Sequence, residues 1–166
     1  MRSGFDSLGS YHYQKSIKMK IYVDMDGVLC DFDKGFLANY DYTDDPFPQS
    51  HLGFFSELDP MPGAIEGMNA LIGAGYDVFI LTRPSAKNNH CWSEKARWVE
   101  KHLGVEWLER LIITCRKDLM YDENSFLIDD CTSGAGQEVF NAKGQLLHFT
   151  DAQDWAYIAI RYNLNV

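Results

Sequence analysis

No apolar run in the 166-residue sequence approaches the length of about 18 residues that a membrane-spanning helix needs, so a membrane partner is not expected. Positive charge is also scarce: 15 Lys and Arg stand against 24 Asp and Glu, a net charge of −9. That balance argues against a nucleic-acid polymer as the main partner. A small anion stays compatible, provided a metal or a local basic group neutralises it. The four cysteines (Cys30, Cys91, Cys115 and Cys131) form no CxxC pair and no zinc-like spacing. With no secretion signal, reduced thiols and a cytoplasmic location are expected. Internal repeats and low-complexity tracts are absent. Residues 1–18 are polar and lack the apolar core of a signal peptide, so they read as a leader or tag, disordered and outside the fold. Residues 19–166 are then one domain, long enough for a full hydrophobic core at 46% apolar and 23% charged residues.

Five short runs in that domain read as strands: 20–24, 76–81, 111–114, 125–129 and 145–149. They are apolar without clean alternation, as strands covered on both faces are. Helical patterns lie between most of them. One, at 63–73, carries Ile65, Met68, Leu71 and Ile72 on one stripe and stops at Gly73 and Gly75. Another, at 93–103, has Ser93 as N-cap and groups Ala96, Val99 and Leu103. A last helix, capped by Asp151, turns Trp155, Ile158, Ala159 and Tyr162 inward. Strand alternating with helix predicts an α/β, Rossmann-like fold: a parallel five-stranded sheet with helices on both faces. Residues 34–60, rich in aromatics and holding Pro46, Pro48 and Pro60, do not fit the alternation. They read as a small lid inserted after strand one.

The stretch KIYVDMDGVLCDF, residues 20–32, puts Asp24 and Asp26 at the end of an apolar run. Acids there cost stability unless a cation sits between them. Thr82 ends the second run, Lys117 follows the third, and Asp129 with Asp130 ends the fourth. In an open parallel sheet, the carboxyl ends of the strands line the ligand crevice. Four strands therefore deliver acid, hydroxyl, amine and acid to one edge. Asp24 and Asp129 supply hard oxygen ligands, which suit Mg²⁺. An aspartate relieved of its repulsion for phosphate can attack it and form an aspartyl-phosphate. Thr82 can donate to a phosphoryl oxygen, and Lys117, with Arg116 as its rival, can neutralise charge. One such ion pair at about 4 Å and an effective dielectric near 20 is worth roughly 4 kcal/mol.

DMDGV, ILT, a lysine and LIDD, in that order, resemble the four motifs of the haloacid dehalogenase (HAD) superfamily of phosphohydrolases. Within it, VDMDGVLCDF, ELDPMPGA, DVFILTRP and EKARWVEKHLG are similar to the 5′(3′)-deoxyribonucleotidases, over nearly all of residues 19–150. The resemblance implies Asp24 as nucleophile and Asp26 as general acid and base. It makes Asp24, Asp129 and the Asp26 carbonyl the Mg²⁺ ligands, with Thr82 and Lys117 on the phosphate. Phe32 falls on an aromatic position of the nucleotide pocket. Arg83 stands where the animal enzymes carry a serine that helps choose substrate, and is assigned here to the phosphate side. Cys115 stands where they carry arginine, and the lid is shorter than theirs. These departures touch substrate choice, not the chemical core. The expected substrate is a nucleoside monophosphate or another small phosphomonoester; oligomeric state is left unassigned.

Blander readings compete. A calcium loop at Asp24 would want glutamate at its twelfth position, where Gly35 stands. Asp130 either orients its neighbour or takes part directly. Phe32, Phe36, Phe54 and Phe55 are core or lid residues, of which one or two face a base. HCWSEKAR, residues 90–97, spaces Cys91 and Arg97 as cysteine-dependent phosphatases do, but Glu94 replaces the loop glycine and no strand precedes it. The last alternative is a nucleotide-binding module without turnover.

Overall fold

Val23 is flanked by Ile80 on one side and Ile128 on the other, and this central placement of KIYV organises the sheet. The computed structural model describes residues 18–43 and 46–164. The expected leader lies, apart from Lys18, outside the described residues. Strands β1 (Lys20–Val23), β2 (Asp77–Thr82), β3 (Leu111–Ile113), β4 (Ser125–Asp129) and β5 (Leu146–His148) form one parallel sheet in the order β3-β2-β1-β4-β5. The chain winds outward from β1 through β2 to β3, then returns to β1's other side for β4. The order therefore reverses beside β1, and the crevice of such a sheet opens at that switch point. Strand ends differ from the sequence expectation by a residue or so: Asp24 stands just beyond β1, its N–H donating to the Ile128 carbonyl at 2.9 Å.

Helices α1 (Phe32–Thr43), α2 (Ala64–Gly73), α3 (Cys91–Leu103), α4 (Gln137–Ala142) and α5 (Trp155–Arg161) cover the two faces unequally. Met68 and Leu71 of α2, Trp98 and Val99 of α3, and Trp155 and Ile158 of α5 share one core with Ile21, Val23, Val78, Ile80 and Ile128. The other face has a smaller cluster, in which Phe140 of α4 packs with Tyr22, Leu81 and Leu127. Gly67 permits close approach of α2 to α5, since a Cβ there would meet the Trp155 ring at 2.2 Å. No described helix is long and apolar enough to cross a membrane.

Three details correct the sequence reading. Asp154, not Asp151, caps α5: its carboxylate accepts from the Tyr157 N–H, while Asp151 sits in the preceding turn. Helix α3 begins at Cys91, behind a His90 N-cap, so Ser93 lies inside its first turn and donates its hydroxyl to the His90 carbonyl. Ile72 is exposed rather than packed. The segment after β1 is helical from Phe32 and carries a 3-10 turn at Pro48–Ser50. Its two ends are pinned together: Asp31 N–H donates to the Asp59 carbonyl at 2.8 Å and Met61 N–H to the Leu29 carbonyl at 2.9 Å.

Candidate active site

Register brings the carboxylates together. Val23 pairs with Ile128, so Asp24 and Asp129 emerge side by side at the carboxyl edge. Lys117 reaches them from a 3-10 turn after β3, its own N–H bonded to the Ala135 carbonyl at 2.7 Å. Its Nζ lies 2.9 Å from Asp24 Oδ1 and 2.6 Å from Asp129 Oδ2, and its side chain is buried. Burial alone would lower the Lys117 pKa, but the charges of Asp24 and Asp129 outweigh it and leave it raised. The second Asp129 oxygen accepts from the Cys131 N–H at 2.9 Å and from Gln137 Nε2 at 3.5 Å. Burial, then the charge of Asp24, pushes the Asp129 carboxyl up to about 7 despite Lys117.

Two acids crowded against one lysine leave an electrostatic deficit. Asp24 Oδ1 has only the Lys117 ammonium, at 2.9 Å, and no well-aligned hydrogen bond besides. Two buried carboxylates sharing a single lysine are a hard-donor set that fits Mg²⁺, and a bound cation would reverse the upward push on Asp129. Asp129, Asp130 and Cys131 also gather ligand atoms within 4.8 Å of one another.

The second acid has a cation of its own, which the sequence reading missed. Lys95 of α3 is fully buried, and its Nζ donates to Asp26 Oδ2 and to Thr82 Oγ1, each at 2.7 Å. The Cys30 thiol faces the other Asp26 oxygen at 3.6 Å. Burial raises the Asp26 pKa, Lys95 opposes it and Asp24 adds to it; the net direction is upward. Lys95 is itself raised, the neighbouring charges of Asp26 and Asp24 overcoming its burial. The signal lay in helix periodicity. Lys95 shares a face with Cys91, Trp98 and Val99, and a lysine on a core stripe needs an acid partner.

Two adjoining clefts open beside these groups, onto Asp24, Asp26 and Lys117, while Thr82, Lys95 and Asp129 are buried and line neither. One of 260 Å³ is lined by Asp24, Asp26, Lys117, Asp130 and Gln137 among others; its neighbour, of 360 Å³, by Gln49, Phe55 and Ser85. Asp26, Phe32 and Arg83 line both. Phe32 packs on Phe54 and Phe55 at centroid distances of 5.5 and 6.3 Å. Arg83 is exposed and donates to the Gly134 carbonyl at 3.3 Å, across the mouth of the smaller cleft. Asp130 sits on Gly27, where a Cβ would meet its Oδ2 at 2.6 Å and the backbone has φ +75°. The glycine of DMDG is thus needed for both conformation and space.

Other expected groups lie elsewhere. Arg116 is exposed and paired with Asp118 at 2.8 and 2.6 Å, so Lys117 is the cation at the carboxylates. Cys91 is buried at the start of α3, its thiol pushed up by burial, and accepts from the Ser85 N–H at 3.3 Å. Arg97 is exposed, six positions on and across the helix, so the two cannot cradle one phosphate.

Comparison with known proteins agrees with the motif reading. The chain is 35% identical over 153 aligned positions to the cytosolic-type 5′(3′)-deoxyribonucleotidase of Homo sapiens, covering 72% of this chain and 74% of that one. It is 33% identical over 151 positions to the mitochondrial 5′(3′)-deoxyribonucleotidase of Mus musculus, covering 72% and 68%. In fold it is similar to the class C acid phosphatase of Bacillus anthracis, with TM-score 0.58, 15% identity and 83% of this chain aligned to 68% of that one. A family model described as 5′ nucleotidase, deoxy (Pyrimidine), cytosolic type C protein matches residues 47–156, a span that holds Thr82, Lys95, Lys117 and Asp129. With that match and the human relative three-quarters covered at more than one-third identity, the chain belongs to the cytosolic type C 5′ nucleotidase family, an enzyme family of phosphoric monoester hydrolases.

Proposed function

We propose that this protein hydrolyses nucleoside monophosphates, deoxyribonucleotides foremost, in the cytoplasm, through an aspartyl-phosphate on Asp24. What carries the reading is the convergence of Asp24, Asp26, Thr82, Lys117 and Asp129 on one strand edge beside an aromatic-lined cleft. The family relatives' names support the substrate class. Residues 19–166 act as one phosphatase domain, with 34–60 as its lid.

A carboxylate oxygen of Asp24 attacks phosphorus and the ester P–O bond breaks. Asp26 gives its proton to the departing alkoxide, which its raised pKa favours. In the second step Asp26 takes a proton from water, which splits the aspartyl-phosphate and restores both acids. Lys117 neutralises charge on Asp24 and the phosphoryl group. The Thr82 oxygen already accepts from Lys95, so its hydroxyl proton is left to donate to a phosphoryl oxygen. Lys95 thereby fixes Thr82 and Asp26 together. Asp24, Asp129 and the Asp26 carbonyl would hold Mg²⁺, which supplies compensation for phosphate charge when bound. Asp130 supports Gly27, and Phe32 with Phe55 faces the leaving group.

A screen of phosphomonoesters with and without Mg²⁺ tests this reading. Nucleoside monophosphates are expected to be preferred over sugar phosphates, and chelation is expected to reduce turnover to background until Mg²⁺ is restored. Preference for a base-free ester would reassign the substrate. Full turnover after complete chelation would remove the metal.

A further inference from the structure

Next to Lys95 in α3, Glu94 is a fully buried carboxylate. Such a group is tolerated only when its oxygens are saturated with donors. Its donors come from two other segments. Gly53 N–H donates to Oε1 at 2.7 Å; Phe55 N–H and Asn88 Nδ2 donate to Oε2 at 3.2 and 3.1 Å. Asn88, also buried, donates to the His51 carbonyl at 3.1 Å and accepts from the His90 N–H at 2.8 Å. Glu94 and Asn88 thus hold backbone at His51, Gly53 and Phe55, and that strip carries the aromatic wall of the larger cleft. The Phe55 ring stands 5.0 Å from Lys95 Nζ and 5.1 Å from the Phe54 ring.

We propose that Glu94, with Asn88, is a positioning residue for the nucleoside. Consecutive side chains of one helix do separate jobs: Lys95 holds the proton-transfer acid, and Glu94 holds the wall against which the leaving group lies. Neither Glu94 nor Asn88 touches phosphate. The pair therefore governs how well a nucleoside is gripped, not the phosphoryl chemistry, and the proposal rests on the nucleotidase reading above. Glu94→Gln keeps the shape but replaces one acceptor oxygen with an N–H₂ facing a donor. A displaced Phe55 then widens the cleft.

The test compares a nucleoside monophosphate with p-nitrophenyl phosphate, whose small leaving group needs little of the wall. For Glu94→Gln, KM for the nucleotide is expected to rise roughly ten-fold, on the scale of a lost charge-assisted hydrogen bond. The kcat for both esters and KM for p-nitrophenyl phosphate should stay within about two-fold of wild type. Thermal melting checks the fold; if Glu94→Gln does not melt cooperatively, Asn88→Ala carries the test, with the same split on a smaller scale. An unchanged nucleotide KM, or equal loss on both esters by a folded variant, overturns the proposal alone. Wild-type protein that turns over p-nitrophenyl phosphate but no nucleotide overturns the function on which it rests.

Discussion

Asp24→Asn is expected to lower nucleotide turnover by about 10⁴-fold or more, the scale seen when one essential member of a catalytic set is removed. The amide nitrogen is not a nucleophile, so no covalent phosphoryl link forms at that position. The variant also loses the charge of one of the two carboxylates that share Lys117, and with it half of the anionic donor set that fits a metal. Packing should survive, because asparagine has the same shape and Asp24's backbone N–H still bonds to the Ile128 carbonyl. Cys91→Ser is the companion. Its thiol is buried behind Ser85 and lines neither cleft, and Arg97 is across the helix, so activity should stay within a few-fold of wild type. Steady-state rates on both variants, with melting curves as the control for folding, check the pair. Activity that survives Asp24→Asn and is lost with Cys91→Ser would move the chemistry to the thiol.

Asp26→Asn should cost roughly 10² to 10⁴-fold on a nucleoside monophosphate, the usual contribution of a positioned proton donor. The amide oxygen introduced by that substitution can still accept from Lys95, so Thr82 and the helix contact should persist while the transferable proton is gone. The first step of p-nitrophenyl phosphate hydrolysis should suffer much less, since that leaving group scarcely needs protonation. Rapid-quench measurement of phosphorylation at Asp24 separates this step from the second, in which Asp26 acts as base. Equal first-step losses on both esters would reduce Asp26 to an arranger of the metal.

These two acids were legible in the sequence because a strand-end acid must have a reason, and the order DMDGV, ILT, lysine, LIDD supplied one. The parallel sheet was legible from apolar runs alternating with helical stripes. Lys95 and Glu94 were not. Their stretch, EKARWVEKHLG, shows locally only an apolar stripe and a likeness to the 5′(3′)-deoxyribonucleotidases. The acid partner of Lys95 is 69 residues away and the amides held by Glu94 are 39 and 41 residues away. No local pattern reports such distances; only the mismatch of charge on a core face does. Helix α4 escaped because six residues are too few to show a helical period. Asp151 and Asp154 both precede the last helix, and the turn that holds Thr150 against Gln153 delays its start until only Asp154 can cap it.

The central claim is that phosphate passes through Asp24. The most direct measurement is acid quench during turnover of a ³²P-labelled nucleoside monophosphate with Mg²⁺, followed by peptide mapping of the protein. The account predicts hydroxylamine-labile label, an acyl phosphate, on the peptide carrying Asp24, accumulating within the first turnover and lost in Asp24→Asn. Full turnover with no label on the protein, or label on the Cys91 peptide, would contradict it.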